Sequence, residues 1–129
     1  MDSKIKVLKF GGASVKDAAT VRNIPGILEQ YSGEGTVIIL SAMDKTTNHL
    51  ESLVHDFYHN KAKTNQKLEK VISFHEQVAS SLFGNSKHNG YKQLSKLTSE
   101  LRKIIDMGRE KAYGKRRSYD FIYDQIVPY

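Results

Sequence analysis

The residues that could do chemistry begin with Lys9-Phe10-Gly11-Gly12-Ala13-Ser14. A lysine closes a β-prone run, Ile5 to Phe10, and two glycines follow it. Glycine lets a backbone approach an anion closely because no Cβ intervenes. Ser14 and, three residues on, Asp17 have the spacing of a capping box, so a helix is expected to start there. The N–H groups of a helix start lack intrahelical partners and carry partial positive charge. A lysine, two glycines and such a helix start together make a sensible phosphate cradle. The spacing fits neither the Walker loop nor the dinucleotide fingerprint. A strand-to-helix turn that simply needs glycine is the alternative reading.

A second candidate is Ser41-Ala42-Met43-Asp44-Lys45-Thr46-Thr47-Asn48. It follows the apolar run Thr36–Leu40 and precedes a helical pattern. In a parallel sheet, loops at the carboxyl ends of the strands come together, and α/β ligands bind there. The hydroxyls of Ser41 and Thr47 suit a second anion or a carboxylate. The alternative is a capping loop. His55 and His59 stand one helical turn apart, which is metal-ligand spacing, but no third ligand follows and an exposed helix flank explains them. His75 lies among apolar helix positions and reads as a packed histidine. Tyr119, Tyr123 and Tyr129 read as packing residues, and Glu69, Glu76 and Glu100 as solvated.

These loops need elements to hold them. The two apolar runs read as buried strands of a parallel sheet. Between them, Ala18, Val21, Ile24, Leu28 and Tyr31 follow helical spacing, and Pro25-Gly26 predicts a kink or two short helices. Gly33 and Gly35 end that segment. Asn48 and Glu51 suggest a capping box for a helix with Leu50, Leu53, Val54, Phe57 and Tyr58 on one face. A further helix carries Leu68, Val71, Ile72, Val78, Ala79 and Leu82 and ends near Gly84; another carries Leu94, Leu97, Leu101, Ile104 and Ile105 and ends near Gly108. Phe121, Ile122, Ile126 and Val127 form a last apolar segment. Strand, helix, strand is the opening of an α/β fold with a parallel-centred sheet flanked by helices. Two strands cannot satisfy their edges or bury both faces, so the sheet is expected to be incomplete in this chain.

Length and composition set the outer limits. The 129 residues suit one domain; 39% are hydrophobic and 26% charged, as in a globular protein. There is no cysteine, which excludes disulfides, thiolate metal sites and cysteine catalysis. No apolar run nears the roughly 18 residues of a membrane span, and the first residues do not form a signal peptide, so a cytoplasmic location without membrane partner is expected. The net charge is +6, densest from Arg109 to Arg117. Without a neighbouring nucleic-acid-binding motif, that stretch reads as a solvated loop and no nucleic-acid partner is expected.

Lys9-Phe10-Gly11-Gly12-Ala13-Ser14-Val15 closely resembles the N-terminal signature of aspartate kinases in the amino-acid kinase superfamily. The signature usually has threonine where this chain has Ala13. Ser41-Ala42-Met43 and Thr47-Asn48 resemble the family's second loop. The resemblance implies the superfamily's three-layer α/β/α architecture, with residues 1–129 as the N-terminal part of the catalytic domain. It implies transfer of the γ-phosphoryl group of ATP, carried with Mg2+, to the side-chain carboxylate of L-aspartate, in aspartate-family amino-acid (lysine) biosynthesis. It assigns Lys9 as catalytic, Lys9, Phe10, Gly11, Gly12 and Ser14 to the ATP phosphates, and Ser41 and Thr47 to aspartate. The family's next motif, a Gly-Glu pair, is expected just beyond Tyr129, with the adenine-binding half and regulatory domains further on. This chain alone is therefore expected to have little or no activity. A non-catalytic phosphate-binding or interaction module derived from a kinase lobe is the alternative, and a homo-oligomer stays open.

Overall fold

In the computed structural model, residues 5–31, 35–59, 62–84, 87–111 and 118–129 are described, the side chains of 109–111 excepted. The chain divides into two compact units, Met1–Thr46 and Thr47–Tyr129.

The first unit opens with β1 (Lys6–Phe10), followed by a 3-10 turn (Gly12–Val15), α1 (Ala18–Arg22), α2 (Ile24–Gln30) and β2 (Thr36–Leu40). β1 and β2 pair in parallel with Lys6 opposite Thr36 and Phe10 opposite Leu40. The helical segment does divide into two short helices. Asn23 separates them, and Pro25 sits in the first turn of α2, where a missing N–H costs nothing. The helix start differs from the expected Ser14–Asp17 box. Residues 12–15 form the 3-10 turn, and Asp17 is itself the N-cap of α1, in a box with Thr20. The Asp17 carboxylate accepts from the Thr20 N–H at 2.8 Å, and the Asp17 N–H donates to Thr20 Oγ1 at 3.2 Å.

The strands were expected to be buried, and neither is. In β1 Phe10 is buried but Val7 is 59% exposed, and in β2 Val37, Ile38, Ile39 and Leu40 are 45–60% exposed. Their pattern is that of a strand covered on both faces, and among the described residues the sheet has two strands.

The second unit contains most of α3 (Thr46–Tyr58), then α4 (Thr64–Phe83), α5 (Asn89–Lys111) and α6 (Tyr119–Ile126). Its core joins Leu50, Leu53 and Val54 of α3 to Leu68, Val71 and Ile72 of α4, Leu101 and Ile105 of α5, and Ile126 of α6. All but Ile126, which lay in the last apolar segment and here belongs to a helix, are positions that helical periodicity selects, and burying each stabilises by about 1.5–3 kcal/mol. α4 ends as expected at Gly84, whose φ of 68° is the left-handed cap that glycine adopts without strain.

Two helix boundaries differ from expectation. α3 starts at Thr46, so Asn48 lies inside it rather than capping it. α5 runs through Gly108 to Lys111. Gly108 is a packing glycine: a Cβ there would collide with the ring of Phe57. Glu69 is not simply solvated either, because Arg102 grips it with two hydrogen bonds of 3.1 and 2.6 Å that tie α4 to α5. The loop side of the basic stretch, residues 112–117, and Gly33 lie outside the described residues. Among the described residues no helix is long and apolar enough to cross a membrane.

Candidate functional site

Parallel pairing of β1 with β2 brings the two strand-exit loops of the first unit together. Lys9 pairs with Ile39 and Phe10 with Leu40. The ladder runs one step past the strands, since the Ser41 N–H donates to the Phe10 carbonyl at 2.9 Å. Paired residues of a sheet share a face and alternate residues return to it. Lys9 and Ile39 thus share a face, and Ser41, two residues beyond Ile39, continues it.

Beyond the strands, backbone packs on backbone. A Cβ on Gly12 would stand 2.8 Å from the Asp44 carbonyl oxygen and 3.4 Å from that of Ala42. The two loops can lie this close only because residue 12 has no side chain. Gly11 faces open space, with nothing within 4 Å of a Cβ built there. The Ser14 N–H closes the first loop on the Gly11 carbonyl at 2.8 Å, and the Thr46 N–H closes the second on Met43 at 2.9 Å. Asp44 adopts φ 46°, a left-handed conformation that aspartate tolerates better than most residues.

Lys9, Phe10, Gly11, Gly12, Ser14 and Ser41 therefore lie on these two neighbouring loops or the strand ends that feed them. Lys9, Ser14 and Ser41 are exposed, whereas Phe10 is buried and anchors the strand end. Thr47 is exposed in the first turn of α3, where it begins the second unit. The positive end expected at Gly11-Gly12 is that of a four-residue 3-10 turn rather than of a long helix. What such a cradle offers an anion is an ammonium group, glycine-spaced backbone and the leading N–H groups of one turn. Sequence reasoning did not find the part played by the carbonyls of Ala42 and Asp44. The second glycine of the pair was the available signal, since Gly11 faces open space and Gly12 the neighbouring loop.

The Asp17 carboxyl is held below the usual carboxylate range, first by the Thr20 N–H and then by the Thr20 hydroxyl. In the second unit, Glu51 accepts a 2.9 Å hydrogen bond from the Tyr123 hydroxyl, and this bond raises the Tyr123 pKa. Tyr119 and Tyr123 pack against the core. His59 Nδ1 lies 2.8 Å from the His55 carbonyl on an exposed helix turn, and His75, partly buried as expected, places Nδ1 2.8 Å from the Val71 carbonyl. Among the described residues no three metal-ligating side chains of the His, Cys, Asp and Glu types come together. An open groove of about 830 Å³ along α4 and α5, lined by Ser73, Glu76, Ser80, Tyr91, Lys92 and Ser95, has no such glycine-built cradle.

Comparison with known proteins gives one consistent answer. Over 94 residues, 70% of the chain and 23% of the relative, the sequence is 34% identical to an aspartokinase of Geobacillus stearothermophilus. Over 109 residues, 82% of the chain and 26% of the relative, it is 28% identical to an aspartate kinase of Pseudomonas fluorescens (strain SBW25). A 44-residue stretch is 46% identical to the chloroplastic aspartokinase 2 of Arabidopsis thaliana. No family model matches the chain. The chain spans about a quarter of the length of the two bacterial relatives.

Proposed function

We propose that this aspartate kinase-like chain is the portion of a catalytic domain that grips the terminal phosphates of MgATP and meets the acceptor carboxylate of L-aspartate. In the reaction, a side-chain carboxylate oxygen of aspartate attacks the γ-phosphorus. The bond to the β–γ bridging oxygen breaks, and aspartyl phosphate and ADP result. Such transfers depend on positioning and on charge stabilisation rather than on covalent help from the protein. Lys9 would carry its ammonium to the oxygens of the transferring group. Gly11 and Gly12 let the backbone reach the phosphates, with Phe10 fixing the strand end and Ser14 adding a hydroxyl. Ser41 and Thr47 would hydrogen-bond aspartate. Ala13 brings no hydroxyl, so the first loop relies more heavily on Lys9.

Mg2+ fits this site as an ion carried by the nucleotide. The described residues build no multidentate metal cage, and phosphate oxygens with water supply most ligands of nucleotide-bound magnesium. It neutralises phosphate charge when bound.

The observation that carries the proposal is the backbone contact of Gly12 with Asp44, together with the Ser41–Phe10 hydrogen bond. They put the lysine-bearing strand end and the serine-bearing loop side by side, as a shared phosphate and carboxylate site requires. The test is a titration of the chain with MgATP, beside an assay of aspartate-dependent ADP release. The chain alone is expected to bind MgATP weakly and to release no ADP. Lys9→Ala is expected to weaken binding at least about tenfold, the loss of one charge-assisted contact. Equal binding by the variant, or no binding by the chain at millimolar MgATP, would refute the assignment. The open faces of β2 favour a second reading, a phosphate-binding or interaction module without catalysis. Aspartate-dependent turnover once the rest of a catalytic domain is supplied would rule that reading out.

A further inference from the structure

We infer that Asp44 is a positioning residue of the phosphate site. Through its left-handed backbone, and not through its carboxylate, it holds the second loop against Gly12 and keeps the first loop in the shape that takes MgATP. The inference rests on the kinase reading and deepens it, since it concerns the same pair of loops.

Three observations carry it. First, among the described residues Asp44 is the one non-glycine residue with a positive φ, 46°. A left-handed conformation is unfavourable for any residue with a Cβ, and such outliers gather where a site needs a shape that ordinary backbone does not give. Second, the group of Asp44 that meets the glycine loop is its carbonyl. The oxygen stands 2.8 Å and the carbonyl carbon 3.7 Å from a Cβ built on Gly12. Only φ and ψ are soft in the backbone, so turning Asp44 into the right-handed region re-aims that carbonyl. Third, the second loop is pinned on either side of Asp44. The Ser41 N–H is bonded to the Phe10 carbonyl and the Thr46 N–H to the Met43 carbonyl, both at 2.9 Å. Between those two bonds, the conformation of Asp44 decides how the loop lies on Gly12. With Gly12 backed in this way, Gly11 is left facing open space, the side on which the kinase reading puts the phosphates. The Asp44 side chain is itself exposed, so the residue can be exchanged without disturbing a core.

The test is a series at position 44 of the full 129-residue chain: Asp44→Gly, Asp44→Asn, Asp44→Ala and Asp44→Val. Glycine adopts a positive φ freely and asparagine tolerates it as aspartate does, whereas alanine resists it and β-branched valine resists it most. Calorimetric titration reads MgATP affinity. The amide resonances of Gly11 and Gly12 in the unliganded chain read the loops, and circular dichroism checks that each variant stays folded. Asp44→Gly and Asp44→Asn are expected to bind within about threefold of the unaltered chain, and Asp44→Val at least about tenfold more weakly, the population that the left-handed penalty removes. Asp44→Ala should fall between, and the Gly12 amide should move in the alanine and valine variants. If Asp44→Val fails to fold, Asp44→Ala against Asp44→Gly carries the same contrast. Three results would overturn the inference. One is tighter binding by the glycine, asparagine and alanine variants alike, which makes the carboxylate a mere repelling charge. Another is binding by Asp44→Asn as weak as by Asp44→Val, which makes the carboxylate a ligand. The last is a series that leaves affinity and the Gly12 amide unmoved. The two readings fail separately. Lys9-dependent MgATP binding indifferent to the series sinks only the positioning role. A Gly12 amide and an affinity that follow the series, with binding independent of Lys9, sink only the kinase site. No MgATP binding by the unaltered chain sinks both.

Discussion

The carbonyl oxygen of Asp44 lies where a side chain at residue 12 would begin, 2.8 Å from a Cβ built on Gly12. Gly12→Ala must therefore push the two loops apart or bend one of them. Overpacking of this kind typically costs about 1–3 kcal/mol. Gly11→Ala meets nothing and should stay within about 0.5 kcal/mol of the unaltered chain, as ordinary surface changes do. Urea unfolding of both variants checks the contrast. Equal midpoints would show that the loops are not held together at this point.

Ligand binding should reverse that tolerance at Gly11. Its open side is the side from which a phosphate would approach the backbone, so a methyl group there intrudes on the ligand and not on the protein. Gly11→Ala is expected to unfold like the unaltered chain yet bind MgATP at least about tenfold more weakly, a loss of about 1.4 kcal/mol. Calorimetric titration reads this directly. Undiminished affinity would place the phosphates elsewhere.

Lys9 can be judged by charge and by length. Lys9→Met keeps the stem and removes the ammonium. In a full-length relative, the matching change is expected to lower turnover on the order of 10²-fold, the usual worth of one preorganised charge at a developing anion. Lys9→Arg should recover little, since a planar fork does not reproduce a compact point charge. Steady-state kinetics decides, and turnover within threefold of normal in Lys9→Met would remove Lys9 from the mechanism.

Much of this was legible in the sequence, because the signals are local. Apolar runs ending in glycine or serine marked both strands, and 3.6-residue spacing picked out Leu50, Leu53, Leu68, Ile72, Leu101 and Ile105, all of which are buried. What was not legible depends on distant partners. Gly108 reads as a helix stop, since glycine weakens a helix by about 1 kcal/mol; only the ring of Phe57 explains why a glycine stands inside α5 there. Ser14–Asp17 and Asp17–Thr20 are overlapping versions of one capping pattern, and the intervening 3-10 turn decides for the second. The Glu69–Arg102 pair spans 33 residues and leaves no periodic trace. In the candidate site the glycines and lysine were readable. The positive φ of Asp44 was not, since few non-glycine residues adopt it.

Asp17 makes the start of α1 sensitive to acid. Hydrogen bonds from Thr20 hold its folded-state pKa below that of the unfolded chain. The cap is thus fully present above the unfolded carboxylate pKa and is lost as pH falls through the lower folded value. Asp17→Asn keeps a capping oxygen that does not titrate. The unaltered chain is expected to lose stability relative to Asp17→Asn as pH falls from about 5 toward 2, the range in which capping aspartates titrate. Parallel unfolding curves at each pH, with an NMR titration of the Asp17 carboxyl, test this. A carboxyl midpoint at or above the usual aspartate value would contradict the cap.

A last prediction concerns how the helical unit holds its first two helices. Asp56 of α3 is only 4% exposed, and Lys67 of α4 brings its Nζ within 2.7 Å of the carboxylate. The same ammonium donates to Ser52 Oγ at 2.6 Å, so one lysine ties two turns of α3. Lys67→Met keeps the stem but removes the nearest cation from the buried carboxylate, which retains the His55 Nδ1 contact at 3.3 Å. The expected cost is about 1–3 kcal/mol, the desolvation that the partner had offset. The double change Asp56→Asn with Lys67→Met removes both charges and should cost less than the two single changes together. A buried pair is worth most when only one member is lost. A double-mutant cycle in urea measures the coupling. Strict additivity would mean that Asp56 is held by its other neighbours and that Lys67 is an ordinary surface cation.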